Sequence, residues 1–558
     1  MTVRTKPMPI GVDNFKELVE KGYCFVDKTR FIRELLENRG KVLLITRPRR
    51  FGKTLNLSML RYFFTLKNAE ENRKLFAGLE IEQTDCMTRQ GSRPVVFLTL
   101  KGVQCPDYPL MLERLQELLR TVYGNFRYLQ EAQELPEDDK SFFRRILDKT
   151  VNHAEMQTAL KQLIHCLAVC HGENPILLLD EYDAPIIAAW ENGYYKECID
   201  FMRGFLGEVL KTNEELDFAV LTGVTRVSKE SIFSGLNNLS VCSVLSDHFS
   251  DIFGFTQEEA DRLMKECGKA ERLADLKKWY DGYRFGNYDI YNPWSVIQFI
   301  DNGCKFRPYW LNTSGNSILK VLLEHIDARR KKDLENLLRG RPVKTPVREN
   351  IVYADIESDS NTLFMMLLTA GYLKAVEIWQ DANFIEWAKL QVPNREIQQA
   401  FRDEIFRNIA PRQGYMLLQD MLDAMTEGNV QDFAEYLSEL MTDFVSIHDL
   451  DHSPESFYHG LLLGFSILLE GQYRVESNKE SGYGRFDIAF FPKQEGQPGI
   501  LLEIKAVKSQ EDLEGAAKAA LGQIEEKAYL TELHRQGVKE VWKYGIAFCG
   551  KRVWLEQG

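Results

Sequence analysis

The chain has 558 residues, 44% of them hydrophobic and 27% charged, which is the composition of a folded protein long enough for three to four domains and excludes a disordered or fibrous chain. Lys and Arg number 70 against 82 Asp and Glu, a net charge of −12, so a protein that coats nucleic acid through its whole surface is excluded while a local basic site is not. Ten cysteines, scattered singly apart from Cys166 and Cys170, point to a reducing compartment, and without a signal peptide or a long apolar run the expectation is a cytoplasmic protein with no membrane segment.

Short apolar runs open the chain: residues 41–46 (KVLLIT), 94–100 (PVVFLTL), 175–180 (PILLLD) and 216–222 (LDFAVLT). They alternate with stretches of helical spacing such as 108–123 and 155–169, which predicts a parallel sheet with helices on both faces, over residues 1–250. Residues 251–326 are helical and aromatic and form a helical lid, punctuated by Trp279-Tyr-Asp-Gly-Tyr283 and Tyr291-Asn-Pro-Trp-Ser295. These aromatic clusters are expected in the lid core rather than under a base. Residues 327–452 are a mixed, mostly helical middle region, and the polar stretch 449–454 (DLDHSP) is a linker. Residues 453–558 then give helix (456–469), strand (487–491), turn, strand (499–504), helix (512–535) and strand (540–547), a compact α/β domain.

The first strand runs into Arg47-Pro-Arg-Arg-Phe-Gly-Lys-Thr54 and an amphipathic segment, the strand, loop and helix context of a phosphate-binding loop. Backbone N–H groups around Arg49, Arg50, Phe51 and Gly52 would face phosphate oxygens, Lys53 would reach the β- and γ-phosphates, and Thr54 would ligate Mg2+. Arg47 stands where the general pattern has glycine. Arg49 and Arg50 either neutralise phosphate or form a solvated basic cluster. Strand 176–180 ends in Asp180-Glu181, where Asp180 can hold Mg2+ and Glu181 can polarise water. Thr222-Gly-Val-Thr-Arg226 ends the next strand and offers Thr225 and Arg226 as γ-phosphate sensors.

In the last domain Asp487 opens a strand, and Glu503 and Lys505 share one face of the following strand while Leu502 and Ile504 take the other. Two carboxylates beside a lysine repel unless a hard cation joins them, so Asp487 and Glu503 are expected to bind Mg2+ and Lys505 to orient the attacking water or stabilise a pentacovalent phosphate. Glu455 is a candidate third acidic ligand, and Gln523 a candidate support. Counted from Glu455 onward this domain is nearly neutral, which suits local contact with nucleic acid. His165-Cys166 and Cys170-His171 look metal-like but read better as an apolar helix, and Ser228-Lys229 either contacts nucleotide or starts a helix.

Together these motifs, with Tyr23-Cys-Phe-Val-Asp-Lys-Thr29, Val392-Pro-Asn394, Phe457-Tyr-His-Gly460 and Ser477-Asn-Lys-Glu480, resemble a bacterial and archaeal family that joins an AAA-ATPase-like domain to a PD-(D/E)XK nuclease-like domain. The Arg-Pro-Arg-Arg start of the phosphate loop follows that family's form. The resemblance implies an N-terminal AAA-like parallel sheet, a helical lid and middle region, and a C-terminal restriction-endonuclease-like domain. It also implies ATP and Mg2+ as cofactors, nucleic acid (DNA first) as substrate, and a homo-oligomer as an allowed state. The functional expectation is an ATP-regulated, Mg2+-dependent nuclease; the alternative is a nucleotide-switched binding or signalling protein with weak catalysis.

Overall fold

A computed structural model describes the chain except residues 1–5, 39, 227–231, 234–236, 311–329, 331–332, 335, 338–339, 349–358, 402–413, 445–453, 478–479, 482–483 and 527–529. Ser228-Lys229 and most of the expected linker 449–454 lie outside the described residues. Two compact units are present: one comprises Met1–Arg330 and Gly340–Ala400, the other Lys331–Arg339 and Phe401–Gly558. The stretch 327–452, expected as one middle region, is divided between them, because its sheet portion and its last helices pack into different cores.

The first unit is built on β1 (Val42–Thr46), β2 (Val95–Thr99), β3 (Ile176–Asp180), β4 (Ala219–Gly223) and β5 (Leu239–Cys242), in the order β2-β3-β4-β1-β5. Every pairing in this sheet is parallel. β1, β3 and β4 are buried along their whole length, as a parallel sheet covered on both faces requires, and that is why they read as unbroken apolar runs. All three end on the same side of the sheet, and the crevice outside the carboxyl ends of such strands is where ligands bind in open α/β sheets.

The lid segment contributes the hairpin β6 (Tyr283–Phe285) and β7 (Tyr288–Ile290) and the helices Gln257–Glu266, Leu273–Tyr280 and Pro293–Asp301 around a core of Leu276, Tyr280, Tyr291, Val296 and Phe299. An antiparallel sheet of β8 (Val343–Pro346), β10 (Glu386–Gln391) and β9 (Lys374–Gln380) belongs to the same unit. Gly282, at φ 114°, passes so close to the chain after β10 that a Cβ there would sit 2.3 Å from the Pro393 carbonyl oxygen. Val392-Pro-Asn394 and Trp279-Tyr-Asp-Gly-Tyr283 therefore meet as packing motifs, tied further by the Asn394 amide donating to the Tyr280 carbonyl at 3.3 Å.

In the second unit β11 (Tyr473–Ser477), β14 (Ile488–Pro492), β15 (Gly499–Ala506), β16 (Val541–Cys549) and β17 (Arg552–Gln557) form a mixed sheet in that order, β15 and β16 being parallel; β12 (Glu480–Ser481) and β13 (Gly484–Arg485) are a short separate pair. One face, with Ile488, Phe490, Leu502, Ile504 and Ile546, is covered by the helices Gly414–Glu427, Val430–Phe444 and Pro454–Phe465. The other, with Ala489, Phe491 and Leu501, meets Ile524 and Leu533 of the helices Leu513–Glu526 and Leu530–Arg535. Within the helix expected over 512–535, the described residues are helical over Leu513–Glu526 and Leu530–Arg535.

Candidate nucleotide cleft and carboxylate site

β1 feeds the phosphate loop, and helix Lys53–Phe64 follows with Gly52 at φ 78° before it; no side chain caps that end, so its first N–H groups stay available. Arg47 is fully buried rather than facing phosphate. Its guanidinium donates to the carbonyls of Thr46 (2.9 Å), Cys242 (2.9 Å) and Phe249 (3.2 Å) and lies over the Phe253 and Phe285 rings. Burial pushes its pKa down to about 10. A loop that others close with glycine is here fastened to the end of β5 by a buried cation. Phe51 is likewise in the core, edge-on to Tyr283, so only its backbone is left for a ligand.

Lys53 donates to the carbonyls of Arg47 (2.8 Å) and Pro48 (2.9 Å), and burial, partly opposed by Asp180, Asp183 and Glu181, pushes its pKa down to about 8. The Thr54 hydroxyl donates to Asp180 Oδ2 at 2.7 Å and the Thr222 hydroxyl to Asp180 Oδ1. Glu181 takes a left-handed φ of 51°, which β-strand ends seldom adopt and which costs about 1–3 kcal/mol. Its carboxyl is raised by burial and by Asp180 beside it.

Lys53, Thr54 and Glu181 line a cleft of about 520 Å³, within the range of small-molecule sites, together with residues Pro9, Gly11, Val12 and Asp13 and the lid residues Pro293, Trp294 and Ile297. Arg49 and Arg50 both border it, and the Arg50 guanidinium lies 4.4 Å from the centre of the Trp294 ring. Thr225 differs from expectation: it is wholly buried and gives its hydroxyl (3.0 Å) and N–H (2.8 Å) to Asp183 Oδ2, so it orients that acid instead of touching a ligand. Arg226 does not line the cleft. Asp183, which lines it and also accepts from Val224 N–H at 2.9 Å, escaped the sequence reading, although its place three residues after Asp180 was a usable signal.

The loop is braced from the lid side. Trp310 donates its indole N–H to the Arg49 carbonyl at 3.2 Å and its backbone N–H to Glu396 at 2.8 Å, while Ser295 donates to the other Glu396 oxygen at 2.8 Å. Burial pushes the Glu396 carboxyl up to about 7.

In the second unit Asp487 precedes β14, whose register sets Ile488 opposite Leu502 and so brings Asp487 beside Glu503. Asp487 Oδ2 accepts from Ile504 N–H at 2.8 Å. Glu503 is 2% exposed; its Oε1 accepts from Lys505 at 3.4 Å and from Gln523, and its buried Oε2 has no hydrogen-bond partner among the described residues. Burial first, then Asp487, pushes its pKa up to about 7, against the pull of Lys505. Gln523 reaches this carboxylate because Gly545 is Glu503's parallel neighbour: a Cβ there would meet the Ala517 carbonyl at 2.2 Å, so only glycine lets helix Leu513–Glu526 lie this close. His459 approaches the Asp487 carbonyl at 3.1 Å, a contact the sequence reading did not foresee.

Glu455 sits exposed in the first turn of its helix, and among the described residues no three His, Cys, Asp or Glu are placed to share a metal, so it does not join Asp487 and Glu503. Cys166 is a core residue with its thiol pushed up to about 12 by burial, and His165 pairs with Glu215 at 2.8 Å. An orphaned buried carboxylate oxygen beside a second carboxylate is an all-oxygen donor set that fits a hard divalent cation. No helix among the described residues is long and apolar enough to cross a membrane.

Comparison with known proteins agrees with this geometry. Residues 9–233 match the family model described as a predicted AAA-ATPase, and residues 453–558 match that of the PD-(D/E)XK nuclease superfamily. The chain is also similar to an uncharacterized protein in the vnfD 5' region of Azotobacter chroococcum mcd 1, at 25% identity over 97% of this chain and 96% of that protein.

Proposed function

With an AAA-ATPase-like domain and a PD-(D/E)XK nuclease domain in one chain, which together support a nucleotide-binding nuclease in general, we propose that the protein is an ATP-regulated, Mg2+-dependent nuclease acting on nucleic acid, DNA first, in the cytoplasm. The observation that carries this reading is Glu503, an acid buried beside Asp487 with one oxygen unpartnered among the described residues. Asp487 and Glu503 would hold the metal, which when bound polarises the scissile phosphate and lowers the pKa of an attacking water. Ile504 N–H and the Gln523 amide fix the two carboxylates, and the Lys505 ammonium, on the same strand face, offsets charge gathering on the phosphate.

In the nucleotide cleft Lys53 would exchange the loop carbonyls for β- and γ-phosphate oxygens. Thr54 and Asp180 would hold Mg2+, Arg49 and Arg50 would offset phosphate charge, and Glu181 would orient water. Arg226 remains a sensor only if nucleotide binding draws it to the cleft, and Glu455 a ligand only if substrate does the same. Self-assembly is part of the same proposal. The experiment is a cleavage assay of the full chain over a panel of DNA and RNA, with Mg2+ or Mn2+, with and without ATP. Metal-dependent cutting lost in Asp487→Ala and Lys505→Ala, and its ATP response lost in Lys53→Ala, is expected; no cutting under any condition rejects the nuclease.

The second reading, a nucleotide-switched binding protein, is favoured by Lys53 being engaged by its own loop carbonyls. Tight ATP binding with a turnover that Glu181→Gln leaves unchanged would select it.

A further inference from the structure

The phosphate loop has its ligands assigned, but the lid wall of the cleft does not. Trp294 stands there at the start of helix Pro293–Asp301, half-buried, with its ring held in place by an indole N–H bond to the Tyr309 carbonyl at 3.1 Å. The lid's other prominent tryptophan, Trp279, behaves differently: it stacks on Phe306 at 4.8 Å and 10° and does not line the cleft. Trp294 thus spends its polar atom on the lid and leaves ring surface toward the cleft. What covers that surface is the guanidinium of Arg50, an exposed residue of the phosphate loop held at φ 70°.

Beside Trp294 on its helix are Pro293 and Ile297, and the N-terminal segment adds Pro9 and Val12 to the same cleft. None of these four side chains carries a hydrogen-bond donor or acceptor, so they suit the face of a flat apolar ring system. A cation resting on an aromatic face is held weakly enough for a better-stacking group to replace it.

We propose that Trp294 is the base platform of the nucleotide cleft, stacking a purine ring in place of the Arg50 guanidinium, which is released toward the phosphates. The inference rests on the nucleotide-binding reading above and extends it to the residue that recognises the base. Base stacking on an aromatic side chain is tolerant of base identity and is lost when the ring is removed.

The test uses the full chain and two probes, ATP and inorganic tripolyphosphate, each with Mg2+, titrated calorimetrically into wild type, Trp294→Ala and Trp294→Phe. Trp294→Ala should weaken ATP about ten- to a hundredfold and tripolyphosphate less than about twofold, with Trp294→Phe close to wild type for both. If Trp294→Ala weakens both probes equally, the residue only braces the loop, and if it weakens neither it touches no ligand; either result overturns the platform. Wild type that binds tripolyphosphate as tightly as ATP overturns the platform and leaves the phosphate site standing, whereas wild type that binds neither overturns both. A measurement on the folded wild-type chain guards against a misfolded variant: with 5-fluorotryptophan in all eight tryptophans, the 19F resonance missing from Trp294→Phe should move with ATP and stay with tripolyphosphate. A resonance that ignores ATP overturns the proposal.

Discussion

Replacing Glu396 by Gln should make the protein more stable at pH 8 and change little at pH 4.5. Glu396 is wholly buried, and its two oxygens accept from Ser295 and from the Trp310 backbone, neither of them a cation. Burial raises its carboxyl from 4.5 to about 7. A group with a raised folded-state pKa contributes stability that is fully present below the unfolded value and is lost as pH rises through the folded one. The loss therefore falls between pH 4.5 and 7. At about 1.36 kcal/mol per pH unit it reaches roughly 3 kcal/mol, an order-of-magnitude figure. Gln keeps the carbonyl acceptor for Trp310 and turns an amide toward the Ser295 hydroxyl, which can rotate to accept, so the variant keeps both bonds without the buried charge. Urea unfolding of the full chain at a series of pH values reads the effect as the difference between variant and wild type, in which every other titrating group cancels. A difference that stays constant from pH 4.5 to 8 would refute the claim that Glu396 ionises at the expense of the fold.

Arg47→Gly, which writes the ordinary first glycine into the phosphate loop, should destabilise the protein by about 3 kcal/mol or more, because it removes a buried side chain and strands the carbonyls it serves; thermal unfolding checks it. Gly282→Ala should cost about 2 kcal/mol or more by the same assay, since it adds a Cβ at positive φ against the Pro393 carbonyl. Gln523→Leu should lower metal-dependent cleavage about 10–100-fold while ATP affinity stays unchanged, because it frees Glu503 from its orienting amide. Conversely, Lys53→Ala should abolish ATP binding measured by calorimetry and leave the second unit's metal affinity intact.

Much of this was legible because burial on both faces writes itself into sequence. β1, β3 and β4 are buried throughout and mostly apolar, and the polar residues at the end of β3 (Asp180), near the end of β4 (Thr222) and at the start of the helix that follows the loop after β1 (Thr54) are those the folded chain gathers. β5 was missed because Leu-Ser-Val-Cys is four residues long and mostly half-buried, and β17 because it is an edge strand, Arg-Val-Trp-Leu-Glu-Gln, with three apolar residues and none fully buried. Within the sites, chemistry-bearing types were visible but their direction was not. Nothing in a local pattern distinguishes an arginine that points at phosphate from one buried under it, as Arg47 is, or a tryptophan in a lid core from one on a cleft wall. Thr225 is turned onto Asp183 and away from the cleft, because the pairing of β3 with β4 brings the segments that follow these two strands together.

The buried Arg47 also bears on motion. A phosphate loop closed by glycine is a soft joint that nucleotide must order, with the entropy of ordering charged against affinity. Here the joint is riveted to the sheet before any ligand arrives, through carbonyls at the ends of β1 and β5 and the Phe249 turn. Opening the loop would mean opening part of the sheet edge, so amide protons of β1, β5 and the loop between Arg47 and Gly52 should exchange as one cooperative block in the ligand-free protein.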